Sequence, residues 1–270
     1  MLVQKKILKY IALSLLAFVF LMPFIIMALG SLKEVQYAQV DPLFWIPEEP
    51  SLVNYINIFE DGMFLRWIFN SVVITIVPVG SQMLLCAVLG YIFAKKQFPG
   101  REIIFWIFMA VIMIPQQLLI IPKYIMFADF GWINTYWSLI VPELWGIMGV
   151  FLVRQFLQNI PNDLEEAARM DGANDIQVFF RVILPLSVPV VATVGTFSFI
   201  SNWNDLFQPL IYMTKEEMFP VTVGLASLLG KEGNFGIEMA GSTISFIPTF
   251  IIFLFFQRYF TEGIQMSGLK

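Results

Sequence analysis

Two carboxylates stand where the surrounding sequence is apolar. Glu143 follows Pro142 within the run 135–153, and Asp205 closes a cluster formed with Asn202, Trp203 and Asn204. A carboxylate at the centre of a hydrocarbon core costs about 2.5–3.5 kcal/mol on insertion scales, so such groups face a bundle interior or water. An aromatic face beside amides and a carboxylate suits a sugar, which offers an apolar ring face and many hydroxyls. Plainer readings stay open. Trp203 and Asp205 also fit an interfacial belt, and Glu143 can satisfy backbone groups freed by Pro142. Other chemistry is excluded more firmly. The chain has no histidine, which removes the commonest metal ligand and any serine–histidine catalysis. Cys86 is its one cysteine, so no disulfide forms within the chain. The nearest likeness to a phosphate loop, 224–232, spaces its glycines one residue too far apart. It also places Glu232 where a magnesium-binding Ser or Thr belongs. No catalytic residue, metal site or ATP site is therefore expected.

The elements that must position these residues are membrane helices. Of 270 residues 58% are hydrophobic and 13% charged, against about 25% charged in a soluble domain. Six apolar runs are long enough to cross a core of about 30 Å: 10–29, 68–94, 103–121, 135–153, 185–207 and 242–259. The chain thus reads as an all-α integral membrane protein, one transmembrane domain over 1–270. The first run also resembles a signal peptide, with Lys5, Lys6 and Lys9 ahead of it, but it exceeds the 7–15 residues of a signal core. The prolines Pro23, Pro78, Pro115, Pro189 and Pro248 are expected to kink spans or serve as static packing features.

Lysine and arginine set the orientation. With the N-terminus inside, the inner segments hold eleven, including Lys95, Lys96, Arg101, Arg154, Arg169 and Arg181. The outer segments hold five: Lys33, Arg66, Lys123, Lys215 and Lys231. The positive-inside rule then puts both termini in the cytoplasm. The outer segments near 30–67 and 215–236 are turn-rich and acidic.

The inner segment 154–184 is long for a minimal membrane protein and reads as two short helices. Asn162 is a candidate cap with Glu165 as its capping-box partner, and Asp163, Glu165 and Glu166 favour the first turn. Asp171-Gly172 ends that helix, with Gly172 suited to a left-handed position. Asn174 and Gln177 then start a second helix with an apolar stripe at Ile176, Phe179, Phe180 and Ile183. Leu184-Pro185 is expected to end it and open the fifth span. An amphipathic hairpin on the bilayer explains the second helix. It explains the first poorly, because Glu165, Glu166 and Asp171 would face an anionic leaflet. A partner protein with a complementary cleft fits better.

Glu166-Ala167-Ala168-Arg169-Met170-Asp171-Gly172-Ala173, with Phe180, Ile183, Leu184-Pro185 and Pro189 beyond, resembles the cytoplasmic EAA loop of ABC importer permeases. Met113-Ile114-Pro115, Trp203-Asn204-Asp205 and Gln257-Arg258-Tyr259-Phe260 are similar to the carbohydrate-uptake, maltose-importer-like subfamily. The ending Gly268-Leu269-Lys270 matches its small-residue tail only loosely. The resemblance covers nearly the whole chain. It implies six transmembrane helices with a cytoplasmic helix-turn-helix coupling loop, in a multi-pass protein of the bacterial inner membrane. It further implies that Glu166, Ala167, Ala168, Asp171, Gly172 and Ala173 couple to the ATPase. Asn202–Asp205 and Glu143 become candidates for the substrate pathway. The implied partners are a second permease, two ATP-binding subunits that carry ATP and Mg, an extracytoplasmic solute-binding protein, membrane lipid and a carbohydrate, but no nucleic acid. The competing readings are a self-contained secondary transporter, an ABC permease for a non-sugar solute, and a receptor or scaffold signalling through the inner loop. No internal repeat supports the first of these.

Overall fold

The computed structural model describes residues 2–33, 47, 49–228 and 235–268, and every regular element among them is helical. Part of the expected outer segment, at 34–46 and 48, lies outside the described residues. So do 229–234, with the end of the phosphate-loop likeness, and Leu269-Lys270. Four helical stretches are long and apolar enough to cross a membrane, and six if each of two bent pairs is one span.

Two units divide the chain. One comprises residues 1–68 and 221–248. It holds α1 (Leu2–Gly30), α2 (Val53–Glu60), α13 (Val221–Leu228) and the first parts of α3 (Met63–Lys95) and α14 (Phe235–Gly268). Side chains 6–21 of α1 are all exposed, yet Lys6–Gly30 is strongly apolar. Such a surface is stable only against lipid or another apolar protein surface. Asn54 fastens α2 to the end of α1, donating to the Ser31 and Lys33 carbonyls at 2.8 Å each. Helices α2 and α13 occupy segments read from sequence as loops.

The other unit comprises 69–220 and 249–270. Its helices are α4 (Arg101–Ala110), α5 (Ile120–Asp129), α6 (Trp137–Ile140), α7 (Ile147–Gln158), α8 (Asp163–Met170), α9 (Asp175–Val178), α10 (Leu184–Leu186), α11 (Val188–Trp203) and α12 (Phe207–Tyr212). Its larger core gathers Cys86, Phe93, Phe105, Val150, Leu157, Ile183 and Val194 among others. A second core joins Ile74, Phe127, Leu139 and Tyr212. Small residues let the helices approach. A Cβ on Gly149 of α7 would lie 2.7 Å from the Cys86 sulfur of α3 and 3.0 Å from Val194 of α11.

Three spans differ from the sequence expectation. Arg101–Met113 and Gln116–Asp129 meet at 85° across Pro115, which supplies no N–H to continue the ladder. The fourth run is interrupted: α6 passes into a tight turn at Val141–Glu143, and extended Gly146 precedes α7. That helix runs on to Gln158, so 154–158 belong to it and not to the loop. At the fifth, Asp175–Leu186 and Val188–Trp203 meet at 75°. The helix does not end at Leu184-Pro185. A wide π-turn spans Phe179–Ile183, and the Leu184 N–H donates five residues back to Phe179. The regular ladder is already interrupted there, so the proline's missing donor breaks no further bond. The break falls at Ser187. Pro23, Pro78 and Pro248 sit inside continuous helices.

Candidate functional site

The interrupted fourth span exposes backbone carbonyls inside the bundle, and α3 satisfies them. Gln82 donates to the Glu143 carbonyl at 2.7 Å, and Cys86 to that of Gly146 at 3.3 Å. This leaves the Glu143 side chain free of backbone duty. It turns into a polar cavity of about 210 Å³ that also takes in Asn202 and Asp205. Gln208 of α12 donates to Glu143 Oε1 at 3.4 Å. Asp205 sits just ahead of α12, where Oδ1 accepts from the Phe207 and Gln208 amides at 3.0 and 3.4 Å. A carboxylate there meets the first-turn donors of a helix, an arrangement the helix dipole favours. Asn202 donates to the Ser198 carbonyl at 2.8 Å.

Two members of the expected cluster do not join them. Trp203 is buried and stacks on Phe199, with ring centroids 5.6 Å apart and planes 9° from parallel. Asn204 is exposed and donates to its own helix at the Ile200 carbonyl. Helical geometry explains the split, since consecutive residues leave the axis about 100° apart.

Sequence reasoning missed the other half of the cavity. Gln116 and Gln117 enter it just beyond the bend at Pro115, and Lys123 follows from α5. The Lys123 ammonium donates to Gln116 Oε1 at 2.7 Å. Tyr212 lines it too; that side chain is fully buried, and its hydroxyl has no hydrogen-bond partner among the described residues. Two adjacent glutamines within an apolar run were the available signal. Lys123, by contrast, was assigned to an outer loop by the expected end of span three.

The second candidate is the 154–184 segment. Gly172 stands at φ +86° and turns α8 into α9. Asn174 and Gln177 close a reciprocal capping box, both bonds 2.9 Å. The capping box expected on α8 is absent. Asn162 is itself helical and makes no side-chain cap; its Oδ1 accepts from Lys95 at 2.7 Å instead. Glu165 points inward, is buried, and accepts from the Tyr91 hydroxyl of α3 at 2.9 Å. Lys95 also donates to the Ile160 carbonyl. Asp175 pairs with Lys96 and Arg169, each at 2.8 Å. The Lys96 hydrogen bond and charge, with Arg169 adding to them, hold the Asp175 carboxyl below the usual carboxylate range. The loop is thus strapped to the end of α3.

Glu166, Ala167, Asp171 and Gly172 are exposed. Ala168 and Ala173 pack partly against the chain's own core. Phe179 is buried but Phe180 is half-exposed, and Ile176 is exposed as well. The expected stripe is therefore split. Ile176 and Phe180, four apart, share the exposed side, while Phe179 and Ile183, also four apart, share the buried one.

Residues 87–266 match the family described as binding-protein-dependent transport system inner membrane component. The chain is 33% identical over 260 residues to the arabinooligosaccharides transport system permease protein AraQ of Bacillus subtilis, covering 95% of this chain and 92% of that protein. The corresponding protein of Halalkalibacterium halodurans is 36% identical, over 84% of this chain and 82% of its own. The polygalacturonan/rhamnogalacturonan transport system permease protein YtcP of Bacillus subtilis is 26% identical, covering 96% of this chain and 95% of its own. In fold, the chain is similar to one of a bacterial ABC transporter involved in the import of alginate. The TM-score is 0.82 at 24% identity, covering 94% of this chain and 96% of the other. With two thirds of its length matched by the family and its helical fold shared, the chain belongs to the inner membrane components of binding-protein-dependent transport systems.

Proposed function

We propose that this permease conducts a sugar or oligosaccharide into the cytoplasm through a pathway that includes the cavity at Glu143, Asn202 and Asp205. A permease of this family is a membrane component and not an enzyme, and ATP is hydrolysed by separate subunits. The observation that carries the sugar reading is the lining of the cavity. Gln116, Gln117, Asn202 and Gln208 each bring an amide to it. An amide both donates and accepts, as a sugar hydroxyl does. Phe207 and Tyr212 add aromatic surface for a ring face. Relatives named for arabinooligosaccharides and polygalacturonan support the same substrate class.

The partners that complete the machine are a second permease, two ATP-binding subunits with ATP and Mg, and an extracytoplasmic binding protein. Segment 154–184 lies on the cytoplasmic side in this reading, where α8 docks into an ATP-binding subunit. Glu166 and Ala167 present the contact, and Glu166 meets a cation or backbone donor there. Gly172 sets the angle at which α8 leaves the bundle. Ala168 and Ala173 support that angle from behind, and exposed Asp171 adds to the contact face.

The test is purification from detergent, followed by reconstitution into vesicles with labelled arabinooligosaccharide and the binding protein. Co-purifying ATP-binding subunits and ATP-dependent uptake are the expected results. Uptake driven by an ion gradient without those subunits overturns the reading in favour of a secondary transporter.

A further inference from the structure

We propose that this cavity selects uncharged oligosaccharides and rejects acidic ones, an inference that rests on the sugar-permease reading above. The cavity holds two carboxylates, Glu143 and Asp205, and one ammonium, Lys123. Lys123 donates to the Gln116 oxygen at 2.7 Å. The Gln208 amide donates to Glu143, and backbone N–H groups of α12 donate to Asp205; the Lys123 charge also acts on Glu143, which leaves the lining one negative charge in excess. A uronate entering this space meets two carboxylates against a single ammonium, a net excess of like charge. Specificity of this kind works by repulsion as much as by attraction. A neutral sugar meets no such barrier. Its hydroxyls can donate to the carboxylates and exchange hydrogen bonds with the amides.

An independent observation points to a polar ligand in the same space. The Tyr212 hydroxyl lines the cavity, is buried, and has no hydrogen-bond partner among the described residues. A buried hydroxyl left in that state is costly. A sugar hydroxyl beside it supplies the missing partner without bringing charge.

Saturation-transfer NMR on the purified complete complex, without the binding protein, reads this site apart from the receptor's own selectivity. The probes are arabinotriose and trigalacturonate. The native complex is expected to bind arabinotriose and to bind trigalacturonate about tenfold more weakly or worse. In Glu143→Gln with Asp205→Asn, the acidic-to-neutral binding ratio is expected to rise about fivefold or more as two repulsive charges are removed. Asn at 205 keeps an oxygen for the α12 amides, and the single variant Glu143→Gln serves if the double variant fails to assemble. Tyr212→Phe is expected to weaken arabinotriose binding. Equal binding of both probes by the native complex, or an unchanged ratio in the assembled variants, overturns the charge selection and leaves the sugar permease standing. Binding of neither probe overturns both.

Discussion

A single side chain's direction decides whether it can act, and Arg154 shows this away from the cavity. It is buried and lies over the Phe105 ring at 3.8 Å. It donates to Glu102 at 2.8 and 2.9 Å and to the Phe93 carbonyl at 3.3 Å. Its removal leaves half-exposed Glu102 to Arg101 alone and takes this donor from the buried Phe93 carbonyl. Arg154→Ala is expected to destabilise the protein by about 2–3 kcal/mol, in the range of hydrogen bonds to charged groups. Thermal unfolding in detergent measures this, and an unchanged midpoint contradicts it. Arg154→Lys should recover only part of the loss, because an ammonium lacks the planar fork. Outside the cavity lining, Trp203→Phe is expected to leave substrate affinity within about twofold while lowering stability, since that ring stacks on Phe199. A large loss of affinity without loss of stability would place the ring in the pathway after all.

At the scale of elements, the loop is held at two places. The turn at Gly172 requires a left-handed backbone, which costs a β-branched residue about 1–2 kcal/mol. Gly172→Val is expected to uncouple ATP hydrolysis from uptake while the subunit still inserts. Glu166→Lys should do the same by placing the wrong charge in the partner's cleft. Transport and ATPase rates at normal subunit level are the readout, and full coupling in both variants sinks the assignment of α8. The second hold is Tyr91 to Glu165. Helix α3 runs on from Tyr91 to Gln82, about 13 Å along its axis by the rise of an α-helix, and Gln82 holds the Glu143 carbonyl beside the cavity. If the loop is the coupling element, as proposed, its displacement would reach the cavity through α3 as well as through α11. Tyr91→Phe leaves Glu165 without this donor. We expect it to lower sugar transport per ATP several-fold, with a stability loss of about 1–3 kcal/mol. Unchanged stoichiometry shows that α3 carries no coupling.

For the whole molecule, thiol labelling tests the cytoplasmic placement of the loop. Cys86 is fully buried, so background labelling of thiols should be low. Met170 is highly exposed at the end of α8, and Asp61 is exposed where α2 turns into α3 through Gly62. An impermeant thiol reagent added to intact cells should modify Asp61→Cys and spare Met170→Cys; inverted vesicles should reverse this. Labelling of Met170→Cys from outside overturns the cytoplasmic placement of the loop. Deletion of residues 60–62 should weaken ATPase stimulation by the binding protein, and undiminished stimulation removes that turn from the docking surface.

Composition and local pattern carried the reading a long way. Apolar runs mark the spans because hydrocarbon tolerates little else. Gly172 and the Asn174–Gln177 cap were legible because a turn and a cap involve only residues close in sequence. The family motif at 166–173 is a local string of the same kind. Tertiary structure alone decided which polar groups meet. Gln116 and Lys123 reach Glu143 and Asp205 only because the helix bends at Pro115. Glu165 abandons its expected cap because Tyr91, 74 residues away, offers a buried donor. A one-dimensional pattern fixes which faces are apolar, but bends, π-turns and distant donors set where each face points.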